Sequence, residues 1–295
     1  LKQGIENIIK ELDSRGILHS ISSKNNYDDA IKKLNQFGLA EYFLYPQINW
    51  NAKSSSVGII QKKLNLGIDT FLFIDDQAFE RDEVKDKHPE VECIDASEYQ
   101  HLLHYYRLNP RFITTDSKNR RKMYYDDMQR NQEEETFTGT PIDFLASLDM
   151  EFIISEAMEE DLKRAEELTV RTHQLNTTGV TYNYDELNEM RMSDDYKLYV
   201  CELKDRYGSY GKIGLALIKL EEYSWYIKLL LMSCRVMARG VGTILLNFIM
   251  NKTKSAGKKL LADFRITDRN RQMLIPYRFN NFKEIEKRDN GLVVL

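Results

Sequence analysis

Met232-Ser233-Cys234-Arg235-Val236-Met237-Ala238-Arg239-Gly240-Val241-Gly242-Thr243-Ile244-Leu245-Leu246 is the stretch from which this chain is read. An apolar strand runs through a Gly-Val-Gly turn into an amphipathic helix. Gly240 and Gly242 remove side chains that would keep a ligand from the backbone. The helix beginning near Val241, with Thr243 in its first turn, points unpaired N–H groups and a positive dipole end at the same spot. Arg235 and Arg239 add positive charge there. Upstream, residues 223–231 are aromatic and apolar; downstream, Leu245, Leu246, Phe248, Ile249 and Met250 supply a buried helix face. The turn therefore closes a core strand. It reads as a phosphate cradle or, on the same residues, as an ordinary strand-to-helix connection whose glycines serve geometry alone.

The chain has 295 residues, 42% of them hydrophobic and 30% charged, enough for two ordinary cores. A formal charge of −4 and only short basic runs (Arg120-Arg121-Lys122 and residues 252–259) give no reason to expect nucleic acid. Cys93, Cys201 and Cys234 are an odd set without metal-ligand spacing, which points to a reducing compartment. With no secretory leader and no membrane-spanning apolar run, a cytoplasmic protein that avoids membranes is expected. The chain opens on Leu1 inside a helix-like pattern (Ile5, Ile8, Ile9, Leu12), which suggests a cropped or processed start.

Residues 1–110 alternate helix and strand. A helix over 1–14 precedes a strand over 17–22, and Asn25 or Asn26 caps a helix with Ala30, Ile31, Leu34 and Phe37 inward. Short apolar Phe43-Leu44-Tyr45 follows; Lys53 opens a helix that Gly67 closes, and Thr70-Phe71-Leu72-Phe73-Ile74 reads as a buried strand. A charged helix, a strand over 91–94 and a helix near 97–106 complete an α/β pattern with a parallel sheet. Such sheets bind ligands at the carboxyl ends of their strands. Ser23, Lys24 and Asn25 stand at one end and Lys53 follows the next, a hydroxyl and ammonium set suited to phosphate. Asp75 and Asp76 end the third strand, where paired carboxylates suit a hard cation such as Mg²⁺. Each has a plain structural alternative: Ser23 and Asp76 as caps, Lys53 solvated, Asp75 paired with Arg81.

Residues 111–140 read as a helical connector, capped at Thr114-Thr115-Asp116, with Gln132-Glu133-Glu134-Glu135 as a solvated face. Residues 141–295 read as a second α/β domain: a strand over 151–154, a helix near 159–175, a hairpin around Tyr207-Gly208-Ser209-Tyr210-Gly211, the glycine turn, its helix closed by Gly257, a strand over 259–265 and a helix over 269–277.

That order, with the glycine turn, resembles the Gcn5-related N-acetyltransferase (GNAT) superfamily. Its [Q/R]-x-x-G-x-[G/A] motif grips the pyrophosphate of coenzyme A or phosphopantetheine; Met237 stands here in the first place. In the first domain Ser23, Lys53 and Asp75-Asp76 resemble, in order, motifs two to four of the haloacid dehalogenase (HAD) superfamily. Ser-Lys-Asn-Asn at 23–26, Trp50-Asn51-Ala52-Lys53-Ser54, Leu64-Asn65-Leu66-Gly67 and Phe73-Ile74-Asp75-Asp76 with Glu80-Arg81 look like its FkbH-like branch. So do residues 168–176, where His173 replaces an expected Asn, and Ser233-Cys234-Arg235-Val236 with Arg239-Gly240-Val241. The fold expected is a partial HAD-like Rossmannoid parallel sheet followed by a GNAT-like domain. No apolar strand ending in Asp-x-Asp occurs, so the family's first motif and central strand are missing.

The resemblance implies transfer of a glyceryl or similar short acyl unit from a phosphorylated three-carbon donor such as 1,3-bisphosphoglycerate to the phosphopantetheine thiol of an acyl carrier protein, with loss of phosphate. Mg²⁺ would serve the first domain, and phosphopantetheine or coenzyme A the second. A thiol at Cys234 could carry the acyl unit, although free cysteine is also a common packing residue. Tyr277 sits where GNAT enzymes often place an acid, and His173 is a candidate base or substrate contact. The rival readings are an acetyl-CoA-dependent N-acetyltransferase and a non-catalytic module that docks a carrier protein.

Overall fold

Side-chain caps at Asn26 and Thr114 start two helices of the first unit. The computed structural model describes residues 1–172, 175–267, 270–288 and 291–295, with the backbone alone at Ala238. Helix α1 (Ile5–Ser14) turns Ile8, Ile9 and Leu12 inward, and α2 (Tyr27–Gln36) is capped by Asn26, whose side chain accepts the Asp29 N–H at 3.2 Å. Helix α3 (Lys53–Leu64) buries Val57, Ile60 and Leu64 and is stopped by Asn65 in the left-handed conformation (φ 51°), two residues before the expected Gly67. Helix α4 (Ala78–Lys87) follows a strand end. The expected helix near 97–106 is a 3-10 helix over Ala96–His104.

The strands are shorter than expected and do not join. Strand β1 (Ser22–Ser23) pairs in parallel with β2 (Gln47–Ile48), and the apolar residues before β1 contribute a lone bridge from His19 to Phe43. Strand β3 (Leu72–Asp75) pairs in parallel with β4 (Glu92–Asp95). Among the described residues neither pair has a third strand. The partial parallel sheet expected without its central strand is present as two separate pairs among the described residues.

The chain divides into two compact units, Leu1–Asn131 and Gln132–Leu295. Helix α5 (Thr115–Lys118) is capped by Thr114, and the division falls inside α6 (Arg120–Thr136). Beyond it the acidic run is engaged rather than freely solvated: Glu133 binds Arg206 and accepts the Tyr207 hydroxyl at 2.5 Å.

The second unit opens with α7 (Pro141–Ser147), held by a Thr140–Asp143 capping box with proline at its start. Then come β5 (Glu151–Glu156), α8 (Leu162–Arg171), α9 (Tyr184–Met192), β6 (Tyr196–Asp205), β7 (Gly208–Leu220), β8 (Ser224–Met232), α10 (Val241–Ser255), β9 (Lys259–Arg265), α11 (Leu274–Phe279), β10 (Glu286–Lys287) and β11 (Leu292–Val294). The seven strands form one sheet in the order β10-β11-β9-β8-β7-β6-β5, antiparallel except for β8 with β9. Alternation along β8 sends Leu229 and Leu231 to the core shared with Leu162 and Leu187, and Leu230 and Met232 to the core shared with Leu245 and Ile249. Each fully buried Leu or Ile contributes about 1.5–3 kcal/mol. The β6–β7 turn lies at Arg206 and Tyr207, so Gly208 and Gly211 stand within β7. No helix among the described residues is long and apolar enough to cross a membrane.

Burial pushes the His19 imidazolium from 6.5 down to about 4, and neither ring nitrogen has a hydrogen-bond partner among the described residues. Between those values the unfolded chain binds the proton and the folded chain does not. Stability present above pH 6.5 is therefore lost as pH falls toward 4. His19→Phe should remove a pH-dependent loss on the order of 2–3 kcal/mol, read from urea denaturation across that window. An unchanged pH profile would show that His19 already titrates normally.

Candidate functional site

Two strands of the second unit part company halfway along. Strand β8 pairs with β9 only from Ser224–Lys259 to Ile227–Ala262. On its other edge, Ile227 faces Ile218 of β7 while Leu229 faces Leu217, leaving Lys228 as the extra residue of a bulge. A bulge bends and twists its strand. From there β8 stays with β7, while residues 263–265 of β9 pair with β11. Lys228 forms an ion pair with the buried Asp263 directly after the last paired rung.

The splayed end of β8 leads into the glycine turn. A 3-10 helix over Cys234–Arg239 intervenes, and Gly240, at φ 72°, passes the chain into α10. No side chain caps α10. A Cβ built on Gly240 would meet nothing within 4 Å, and one on Gly242 only Met232 Cγ at 3.9 Å. Thr243 is exposed and Val241 is buried. This is an open, unobstructed helix N-terminus of the kind that receives a phosphate.

The arginines expected to furnish charge are engaged by the protein. Arg235 donates to the Tyr210 carbonyl at 2.9 Å. Arg239 lies 3.8 Å from Glu134 and stacks over the Phe144 ring at 5.8 Å. Cys234 is exposed at the start of the 3-10 helix. Tyr277 is wholly buried in α11, edge-on to Phe264 and Phe282. Its hydroxyl has no hydrogen-bond partner among the described residues, and burial, with Asp263 second, raises its pKa. An orphaned buried hydroxyl costs about 1–3 kcal/mol. His173 lies outside the described residues.

The sequence reading missed what fills the splay. Met232 N–H donates to the Leu175 carbonyl at 2.9 Å, and Thr177 N–H donates to the Leu230 carbonyl at 3.0 Å. Thr177 Oγ1 accepts the Leu230 N–H at 3.0 Å, and the Thr177 carbonyl accepts the Arg265 N–H at 2.9 Å. Thr177 thus spans both strands. Asn270 donates to the Asn176 carbonyl at 2.9 Å, and Asn176, Thr177 and Thr178 are at most 1% exposed. Lys228 interrupting an otherwise apolar run, and a run of three polar residues before Gly179, were the available signals.

In the first unit, the strand-end residues are brought together as ion pairs. Lys53 Nζ contacts Asp75 Oδ2 at 2.5 Å, with side chains 11% and 8% exposed. Asp75 Oδ1 accepts the Gln77 N–H at 3.0 Å; Arg81, expected to pair with Asp75, donates to its backbone carbonyl and pairs with Asp95. Lys24 pairs with Glu80 at 2.7 Å, and Asn25 accepts the Asn26 N–H. Ser23 lies in β1 opposite Ile48, and Asp76 is exposed, capping nothing. A hard cation takes six or more oxygens, and Asp75 is already spent on Lys53. Among the described residues no group of three or more His, Cys, Asp or Glu is placed to hold a metal ion. Asp75 and Asp76 are thus a carboxylate pair of which one member is held by Lys53 and the other is exposed.

No protein-family model and no curated protein matches the chain. Among solved structures, the chain is similar to the ribosomal-protein-S18-alanine N-acetyltransferase of Escherichia coli, at 14% identity and TM-score 0.39, over 49% of this chain and 91% of that one. It is similar to a GNAT-family acetyltransferase from Streptococcus pneumoniae at 17% identity and TM-score 0.39, over 49% and 98%. It is also similar to the N-terminal part of a Bacteroides fragilis protein that contains a phosphatase domain complexed with Mg, at 29% identity and TM-score 0.32, over 36% of this chain and 30% of that one.

Two stability outcomes follow from this geometry. Gly240→Ala should destabilise by about 1 kcal/mol through left-handed strain, whereas Gly242→Ala should be near neutral; paired urea midpoints decide it. Asp75→Asn should cost about 3–5 kcal/mol by leaving the Lys53 ammonium buried without its counter-charge, and a cost under 1 kcal/mol would show Lys53 to be solvated.

Proposed function

We propose that the second unit is an acyltransferase whose donor is a phosphopantetheine thioester, either coenzyme A or the arm of an acyl carrier protein. The observation that carries this reading is the parting of β8 from β9 at Lys228, which leads within one 3-10 helix to the uncapped Gly240-Val241-Gly242 turn. The open space above Gly240 and the orphaned Tyr277 hydroxyl fit such a group. Backbone N–H groups of Val241 and Gly242 would hold its diphosphate, while the Thr243 N–H donates to the Gly240 carbonyl at 3.2 Å. When bound it supplies an activated acyl carbon and a thiol leaving group. Tyr277, kept protonated by burial, holds a proton inside the core. Cys234 offers an exposed thiol at the mouth of the turn.

The finer reading, a glyceryl or similar unit loaded from a phosphorylated three-carbon donor onto a carrier protein, is supported by the sequence resemblance. Acetyl transfer from acetyl-CoA is the second reading. It is favoured by the pairing of Lys24 and Lys53 with protein carboxylates, which leaves neither ammonium free for a phosphorylated donor.

Gly242→Asp separates ligand binding from folding. An acid in the first turn of α10 suits the helix dipole, so stability should hold, while repulsion of a diphosphate should weaken coenzyme A binding by at least about tenfold in calorimetry. Equal binding by both proteins would remove the turn from the site. Intact-protein mass spectrometry with acetyl-CoA, and separately with 1,3-bisphosphoglycerate and a phosphopantetheinylated carrier, distinguishes the two donors. Cys234→Ala should abolish any acyl-enzyme adduct, and its persistence would exclude that thiol.

A further inference from the structure

Beyond the rung Ile227–Ala262, β8 and β9 present backbone groups to a gap, and the chain itself fills it. Residues 175–177 lie against β8 through three hydrogen bonds, from Met232 N–H to the Leu175 carbonyl, from Thr177 N–H to the Leu230 carbonyl and from Leu230 N–H to Thr177 Oγ1. They touch β9 through one, from Arg265 N–H to the Thr177 carbonyl. This is pairing by a short segment and not by a strand: among the described residues of the segment only Asn176 forms a bridge, with Leu231. The segment is also an imperfect filling. Asn176 Nδ2, Asp263 Oδ1, Arg265 Nε and Tyr277 OH are all buried without a hydrogen-bond partner among the described residues. Asp263 Oδ1 faces Arg288 Nη1 at 3.8 Å, which leaves Asn176 Nδ2, Arg265 Nε and Tyr277 OH, on the segment, on β9 and on α11, as buried polar atoms with no partner of either kind among the described residues.

We propose that residues 175–177 are a displaceable strap that closes the thioester cleft of the free protein, and that an extended arm bearing amide groups binds by taking over the Leu230 and Met232 backbone groups. The inference rests on the thioester reading above. Exchange is nearly isoenergetic in hydrogen bonds, because each β8 group that loses Leu175 or Thr177 gains an amide of the arm. The strap therefore taxes affinity by the stability of its own closed state. It also keeps water and small nucleophiles out of the cleft until the arm arrives.

Thr177→Val keeps the branched side chain but removes the acceptor of the Leu230 N–H. It weakens the strapped form and leaves the arm-bound form intact. Coenzyme A should then bind about three- to tenfold more tightly than to the unaltered protein. In the unaltered protein, site-resolved hydrogen exchange should show the Thr177 amide losing protection on addition of coenzyme A, while the Leu230 and Met232 amides keep theirs. If coenzyme A binds with the Thr177 amide still protected and Thr177→Val shows no gain, the strap is overturned and the thioester reading stands. If coenzyme A binds neither protein, the thioester reading falls and the strap with it.

Discussion

A parallel strand pair that separates halfway exposes two rows of backbone N–H and C=O groups, and burial requires that each find a partner. The second unit is arranged around that requirement at β8 and β9. Lys228 supplies the extra residue that bends β8, and its ion pair with Asp263 pins the two strands at the point where they part. Below that point the sheet is continuous. Above it, β11 completes one edge of β9, and residues 175–177 serve the facing edges. The splayed end of β8 beyond the bulge leads into the glycine turn.

The first unit meets the same requirement and leaves it unmet. Its parallel pairs, two residues long in β1–β2 and four in β3–β4, have no strand between them among the described residues. Side-chain ion pairs, Lys53 with Asp75 and Lys24 with Glu80, tie helices and strand ends instead. Such pairs do not replace a backbone ladder, because a buried ion pair gains little over its desolvation cost. Both ring nitrogens of His19, Ser22 Oγ and Glu80 Oε2 remain buried without hydrogen-bond partners among the described residues. The unit holds its helices and strand ends in place while its sheet is incomplete.

What the sequence disclosed, and what it withheld, divides along the range of the interactions. Helix starts at Asn26 and Thr114 were legible because caps act over three residues, whereas Thr140, read as part of a loop, caps a helix that was not expected. The glycine turn and the strand before it were legible from glycine placement and an apolar run. Strand lengths in the first unit were not, since residues 17–22 carry the right pattern but find a partner on one edge alone among the described residues, from Phe43 to β2. Nor was the fate of the charges. Arg235, Arg239, Lys24 and Lys53 stand where expected, yet their partners Tyr210, Glu134, Glu80 and Asp75 are distant in sequence or on another element, and only folding brings them together. The segment over 175–177 escaped notice because no local periodicity marks a stretch whose role is to mimic a strand.

The buried acid–base groups of the second unit reinforce one another. Asp263 is held by Lys228 and lies 3.8 Å from Arg288, so its negative charge is fixed beside the core. That charge and burial both raise the pKa of Tyr277, which leaves the hydroxyl proton in place throughout the neutral range. A base at this position would need the opposite environment. Burial therefore holds the Tyr277 proton within the core. Cys234 and Thr243, by contrast, are exposed beside the uncapped turn.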